Sequence, residues 1–293
     1  MRRFLLTAVM IGAVSGAQAA DMPDLPILRG SLPGGLSTAT RNWDGWYVGG
    51  QIDYTSANID LSHAPQTLTN FMLRNSVIQG PVSQLSLFSA QHAQATGFGA
   101  FVGRNFQWDD LVFGIEANYL YLNSLSTSAR NQLARRFDNP NGQTLPPGHT
   151  DRYDVTLSGT ASLQVKDVVT FRGRAGWATG NFLPYVFGGL AVGRLSVSRS
   201  ASVTSNEYDV FNGVDPISGL PIQTVTPLST VSLSQTEARG NNFTIGYTGG
   251  LGTEMMLFGN LFGRVEWEYV KFISVKNMTT SMNSARVGVG YKF

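Results

Sequence analysis

The last ten residues, Ser284 to Phe293 (SARVGVGYKF), alternate strictly and close on an aromatic. Ala285, Val287, Val289, Tyr291 and Phe293 share one face of an extended chain, and Arg286, Gly288, Gly290 and Lys292 share the other. A period of two marks a β-strand. With one face apolar and the other polar or small, it is the pattern of a strand that meets lipid on one side and a barrel interior on the other. A strand in a bilayer must have every backbone group satisfied by the protein, so the sheet it belongs to has to close on itself.

The pattern recurs upstream. Trp46, Val48, Gly50, Ile52 and Tyr54 oppose Tyr47, Gly49, Gln51, Asp53 and Thr55. Phe113, Ile115, Ala117, Tyr119 and Tyr121 oppose Gly114, Glu116 and Asn118. Phe243, Ile245, Tyr247, Gly249 and Leu251 oppose Thr244, Gly246, Thr248, Gly250, Gly252 and Glu254, and Val265, Trp267 and Tyr269 oppose Arg264, Glu266 and Glu268. Thr96 to Phe106, Val168 to Ala178 and Leu183 to Ser196 have the length and composition of strands. In the second of these, Arg172 and Arg174 lie opposite Phe171, Ala175 and Trp177. The fold expected is all-β, an eight-stranded antiparallel transmembrane β-barrel with long extracellular loops.

Composition fits that reading. Charged residues are 14% of the chain, against about a quarter in soluble domains, and no segment after the N-terminus has the uninterrupted apolar length of a membrane helix. No cysteine is present, which leaves no disulfide or thiolate metal site. At the N-terminus, Arg2 and Arg3, the apolar run Phe4 to Val14 and the small-residue pattern Ala17-Gln18-Ala19 read as a secretory signal peptide over 1–19, cut between Ala19 and Ala20. Export by the Sec route is expected. Removing it leaves 19 Lys+Arg against 19 Asp+Glu, so no basic surface attracts nucleic acid. Residues 20–44, rich in Pro, Gly, Ser and Thr, read as a flexible periplasmic lead-in to a barrel over 45–293.

The connections alternate between short ones, at Gln107 to Asp110, Thr179 to Asn181 and Met256 to Asn260, and long ones. The long ones are Leu61 to Ala95, Ser126 to Asp167, Arg199 to Asn242 and the lesser Ser274 to Asn283. Bacterial outer-membrane barrels keep short turns in the periplasm and long loops outside, which places both termini in the periplasm. Within the long connections, Tyr153 to Leu163 and Val225 to Leu233 alternate and read as hairpin extensions above the membrane. Trp43, Trp46, Trp108, Trp177, Phe258, Tyr291 and Phe293 gather at the periplasmic edge as an interfacial girdle. Inside, Asp53, Glu116, Glu254, Glu266 and Glu268 face Arg172, Arg174, Arg264 and Arg286, with Arg104 and Arg194 as further candidates. A barrel of eight strands is only wide enough for side chains to fill, so these charges read as an ionic plug.

The segments GWYVGG (Gly45 to Gly50), FGIEANY (Phe113 to Tyr119), FRGRAGW (Phe171 to Trp177), LPYVFGGLAVG (Leu183 to Gly193), GYTGGLGTE (Gly246 to Glu254), GRVEWEY (Gly263 to Tyr269) and RVGVGYKF (Arg286 to Phe293) resemble successive strands of the small alphaproteobacterial outer-membrane barrels. These are porin-like surface antigens, similar to the OmpA transmembrane domain. The resemblance implies an outer-membrane protein of a Gram-negative bacterium, delivered by periplasmic chaperones and inserted by the barrel assembly machinery. That machinery reads an aromatic-ended last strand, here Tyr291 and Phe293. The surroundings implied are outer-membrane lipid and lipopolysaccharide, with extracellular ligands reached through the loops.

Other chemistry finds little support. His63, His92 and His149 all fall in expected loops, and no spacing brings a nucleophile, a base and an orienting group together, so no catalytic residue is assigned and no enzyme is expected. The histidines match no compact ligand motif, so no metal site and no cofactor are assigned. Gly97, Gly99 and Gly103 lie within a strand pattern, where they let the wall pack closely on interior side chains. The functional expectation is an envelope-integrity and surface-interaction protein. The alternatives are porin-like passage of small solutes and loop-mediated binding of haemin.

Overall fold

A computed structural model describes residues 41–293. The signal peptide expected over 1–19, its expected cleavage between Ala19 and Ala20, and nearly all of the expected lead-in lie outside the described residues. The strands are β1 (Gly45–Asp60), β2 (Ala90–Trp108), β3 (Leu111–Asp138), β4 (His149–Trp177), β5 (Phe182–Val214), β6 (Pro221–Phe258), β7 (Leu261–Phe272) and β8 (Thr279–Lys292). Each pairs antiparallel with its chain neighbours, and β8 pairs with β1 to close the barrel. Two short helices, α1 (Gln66–Met72) and α2 (Gln79–Ser83), lie between β1 and β2.

The facing follows the alternation. Ile52, Phe98, Ile115, Phe171, Val186, Ile245, Val265 and Val287 are exposed on the outside, while their strand neighbours Asp53, Glu116, Arg172, Glu266 and Arg286 are buried inside. A circumferential band of exposed apolar residues is stable only against lipid. At the short-turn end, Trp46, Trp108, Trp177, Phe258, Tyr291 and Phe293 are exposed. Trp43 departs from the girdle expected of it. It is 1% exposed and belongs to the buried cluster that includes Tyr47, Ala178 and Phe262, and its backbone N–H donates to Gln107 Oε1 at 2.5 Å, which ties the entering chain to β2.

The long connections are mostly strand. A span needs about 9–11 residues, yet β3 to β6 have 28, 29, 33 and 38. Their upper parts form a four-stranded wall on one side of the barrel, and only 139–148 and 215–220 remain as connections at its top. The polar loops expected over Ser126 to Asp167 and Arg199 to Asn242 are therefore hairpins, and Tyr153 to Leu163 and Val225 to Leu233 lie within them. Ser, Thr and Val at period two suit a pleated surface with one face covered. Here Val155, Leu157, Ala161 and Leu163 are covered on the inner face, while the outer face carries cross-strand rows such as Arg130, Thr160, Ser200 and Thr236.

One row of irregularities separates barrel from wall. The register shifts between Tyr121 and Leu125 in β3, between Val165 and Asp167 in β4, and between Leu195 and Val197 where β5 meets β6. Across that row the inward positions change parity in β3, β4 and β6. In β4, for example, Val168, Thr170, Arg172 and Arg174 are buried below it, and Val165, Leu163 and Ala161 above it. A bulge adds one residue to one strand and so turns every later side chain to the other face.

Candidate functional site

The interior has two storeys. In the lower one, four arginines and five carboxylates are buried together. Glu116 accepts from Arg172 Nε at 2.9 Å, from Arg264 at 2.7 Å and from the Tyr47 hydroxyl at 2.8 Å. Glu254 takes both terminal nitrogens of Arg174 at 2.8 Å, a bidentate pair, and Arg264 Nε at 2.9 Å. Glu266 accepts from Arg172 at 2.7 Å and from the Tyr185 hydroxyl at 2.5 Å. Arg286 donates to Asp53 at 2.9 Å and contacts Glu268, which also accepts from Thr248 at 2.7 Å. Buried charges survive when paired and hydrogen-bonded in this manner. The register delivers the pairs directly: Asp53 lies across from Arg286, Glu116 from Arg172, Glu254 from Arg264, and Glu266 from Arg286.

The sequence reading assigned these nine charges to the interior, and the structure brings them into one network. Arg104 and Arg194 lie elsewhere. Arg104 stacks outside on Trp46 and Phe106, at 5.6 and 4.9 Å from the ring centres, and Arg194 pairs on the outer surface with Asp167. The sequence reading missed the aromatic partners. Arg264 lies 3.8 Å from the ring centre of Phe101, Arg174 4.0 Å from Tyr185 and Arg172 4.1 Å from Phe187. Cation–π contact strengthens as water is removed. Five inner aromatics on the strands each face a glycine across the ladder: Tyr47 meets Gly103, Phe101 meets Gly49, Phe262 meets Gly290, Tyr185 meets Gly252 and Phe187 meets Gly250. A Cβ on Gly103 would fall 2.3 Å from the Tyr47 oxygen, and one on Gly290 2.3 Å from the Phe262 ring. Glycine paired with an inward aromatic was the available signal.

The upper storey is apolar. Leu61, Ala64, Leu73, Ile78, Val82 and Leu87, from the β1–β2 connection, pack against Leu122, Leu125, Leu157, Leu163, Val165, Leu195 and Phe272 of the wall and rim. The expected open loop Leu61 to Ala95 is thus a helical cap followed by the start of β2. Burying its leucines and isoleucine overrides the pull of water on a polar loop. One side chain clasps the cap in place. Arg199, 3% exposed, donates to the Ala64 carbonyl and Thr67 Oγ1 at 2.8 Å, to the Lys276 carbonyl at 3.1 Å and to Glu237 at 2.6 Å. Lys276 Nζ lies 2.7 Å from Glu237, above the bulge row. Hydrogen bonds from Lys276 and Arg199 hold the Glu237 carboxyl down at about 2.

His149 bonds through Nδ1 to the Asp209 carboxylate at 2.9 Å and lies beside the Phe211 ring, high on the wall. His92 sits in β2 across from Asn58, and His63 in the chain leading to α1. Among the described residues no group of three or more His, Asp or Glu side chains converges as a metal site would require. At the other end, Tyr291 and Phe293 stack edge to face at 5.3 Å, and Phe293 N–H donates to the Trp46 carbonyl at 2.8 Å.

Residues 5–293 match the family described as the outer membrane protein beta-barrel domain. The chain belongs to this family. Like its relatives, this outer-membrane barrel lies in the outer membrane of a Gram-negative bacterium. It is similar to the 25 kDa outer-membrane immunogenic protein of Brucella ovis, 25% identical over 195 residues that cover 67% of this chain and 62% of the relative. The protein of the same description from Brucella canis is 26% identical over 204 residues, covering 67% and 64%. The barrel therefore matches somewhat under two thirds of the length of these relatives. Among solved structures, Neisserial surface protein A aligns at 14% identity and a TM-score of 0.32, covering 85% of this chain and 97% of that one. Ail of Yersinia pestis aligns at 12% and 0.29, covering 85% and 99%.

Proposed function

We propose that this outer-membrane barrel is a closed anchor that displays its four-stranded wall for surface interaction, and neither a solute channel nor an enzyme. The observation that supports it is the doubly filled interior. The lower network leaves its arginines and carboxylates engaged with one another, whereas a conducting pore needs them to face water. Above it, a cap with an apolar core sits over the same axis. The partners in this reading are outer-membrane lipid and lipopolysaccharide around the wall and extracellular ligands on it. The barrel assembly machinery acts on the strand ending in Tyr291 and Phe293, so deleting Phe293 should slow assembly and leave the folded barrel's stability nearly unchanged.

Single-channel recording on the refolded protein in planar bilayers tests the closed state. Silence is expected from protein whose heat-modifiable gel mobility shows it folded. Stable openings of porin size would overturn the closed anchor and put solute passage first.

A further inference from the structure

The wall has two free edges that differ in chemistry. On the β3 side, Arg130, Arg135 and Arg136 lie along the edge strand. Charge of this kind is how natural sheets keep strands from adding to them. On the β6 side, no charged residue occurs from Pro216 to Thr236. Strand β7 pairs with β6 only from Gly246 onward, so among the described residues no strand covers the outer edge of β6 from Pro221 to Thr236. Every residue from Pro221 to Ser232 is exposed. Pro227 and the register shift beside it at Leu228 interrupt the edge and Glu237 ends the neutral run, leaving Ser229 to Thr236 (STVSLSQT) as an uncharged, proline-free edge strand. Backbone N–H and C=O groups in such a row are a template for a further strand.

The occupant follows from symmetry. Within Ser229 to Thr236, Ser232 is the position about which the two aliphatic residues, Val231 and Leu233, lie symmetrically. Antiparallel pairing of the segment with itself about that residue sets Val231 against Leu233 and Thr230 against Ser234, aliphatic with aliphatic and hydroxyl with hydroxyl. No charge meets its like. A parallel copy offering the same edge would have its wall turned over, with its hydroxylated outer face beside the apolar inner face of the first, whereas antiparallel pairing about an axis normal to the sheet keeps both inner faces on one side. The antiparallel arrangement turns the second barrel through a half circle, so that its membrane faces the first.

Resting on the reading of the wall as a surface-interaction element, we propose that the free edge of β6 joins the same edge of a second copy in a facing membrane, with the twofold axis at Ser232. The protein then links two membranes by a shared eight-stranded sheet.

The test uses the signal-free chain refolded into phosphatidylcholine vesicles, with clustering followed by light scattering. Parent vesicles should cluster in proportion to protein density. Ser232→Lys and Ser232→Glu each set a charge against its own copy, and each alone should weaken clustering about tenfold. Vesicles of the two variants, prepared separately and mixed, should cluster again, because lysine then faces glutamate. Ser232 is exposed and outside the core, and heat-modifiable mobility checks that both variants fold. Dispersed parent vesicles, variants that cluster like the parent, or a mixture that stays dispersed would each overturn the proposal. Association confined to copies within one vesicle would also do so, pointing instead to β6 against the β3 edge of a neighbour. Conductance separates this from the closed-anchor reading: vesicles that cluster yet conduct keep the strand pairing and sink the anchor.

Discussion

Below the bulge row the barrel is filled by charged side chains of its own wall, and above it by an apolar segment folded in from the β1–β2 connection. The two fillings fail differently. In the lower storey each charge has been taken from water and is compensated only by its partners, so removing one strands another. In the upper storey the cost of a deletion is the transfer energy and the cavity left behind, and the neighbours can relax into it. The lower filling belongs to the strands and cannot leave. The upper one is a separate length of chain and depends on a clasp, Arg199 with Glu237 and Lys276, to stay seated. One wall thus carries a fixed stopper and a fastened one.

The sharpest way to break the contrast is Arg264→Leu. It leaves Glu116 and Glu254 each short of a cation and should lower stability by about 3 to 5 kcal/mol, read from the urea midpoint of the folded barrel in lipid. Leu157→Ala in the upper core should cost about 2 to 5 kcal/mol, with the barrel still silent in bilayer recordings because the lower network is intact. If that variant conducts, the cap rather than the ionic network is the seal. Val265→Arg, on the lipid face, should cost about 2 to 4 kcal/mol near the membrane midplane and should show as loss of insertion.

The smallest effect concerns pH. The Glu237 carboxyl titrates near 2 in the folded protein against an ordinary 4.5, so its share of the clasp is complete above about pH 4.5 and fades as pH falls toward 2. Amide exchange over Leu61 to Leu73, corrected for intrinsic rates, should therefore rise between pH 5 and pH 2, by about the same factor in Glu237→Gln at neutral pH as in the parent at low pH. Exchange in Glu237→Gln that matches the parent at neutral pH would release the cap from dependence on this carboxylate.

Much of the lower half was legible because period two is a direct physical record of which face each residue meets. Trp267 between Glu266 and Glu268, and Val287 between Arg286 and Gly288, can sit only one way in a membrane. The wall was harder to read. Its strands carry Ser and Thr where the lipid-facing strands carry Phe and Ile, and composition alone does not distinguish a hydroxylated strand from a loop. The bulges near Ser124, Lys166 and Gly240 reverse the parity, so a facing extended upward from the membrane segment comes out inverted. Trp43 was misread because its backbone is tied to Gln107, a contact distant in sequence. The cap was hidden for a similar reason: its leucines and valines show no clean helical period, and only the apolar upper bore gives them somewhere to go.

The bulge row also bears on how such a chain can change over generations. Because the irregularities reset the ladder at one height, pairs of residues can be gained or lost above them without altering which side chains meet lipid or which arginine meets which carboxylate below. The reach of the molecule beyond the cell is in this way a dimension that drift or selection can adjust freely, while the part that must fit the bilayer is held to a fixed measure.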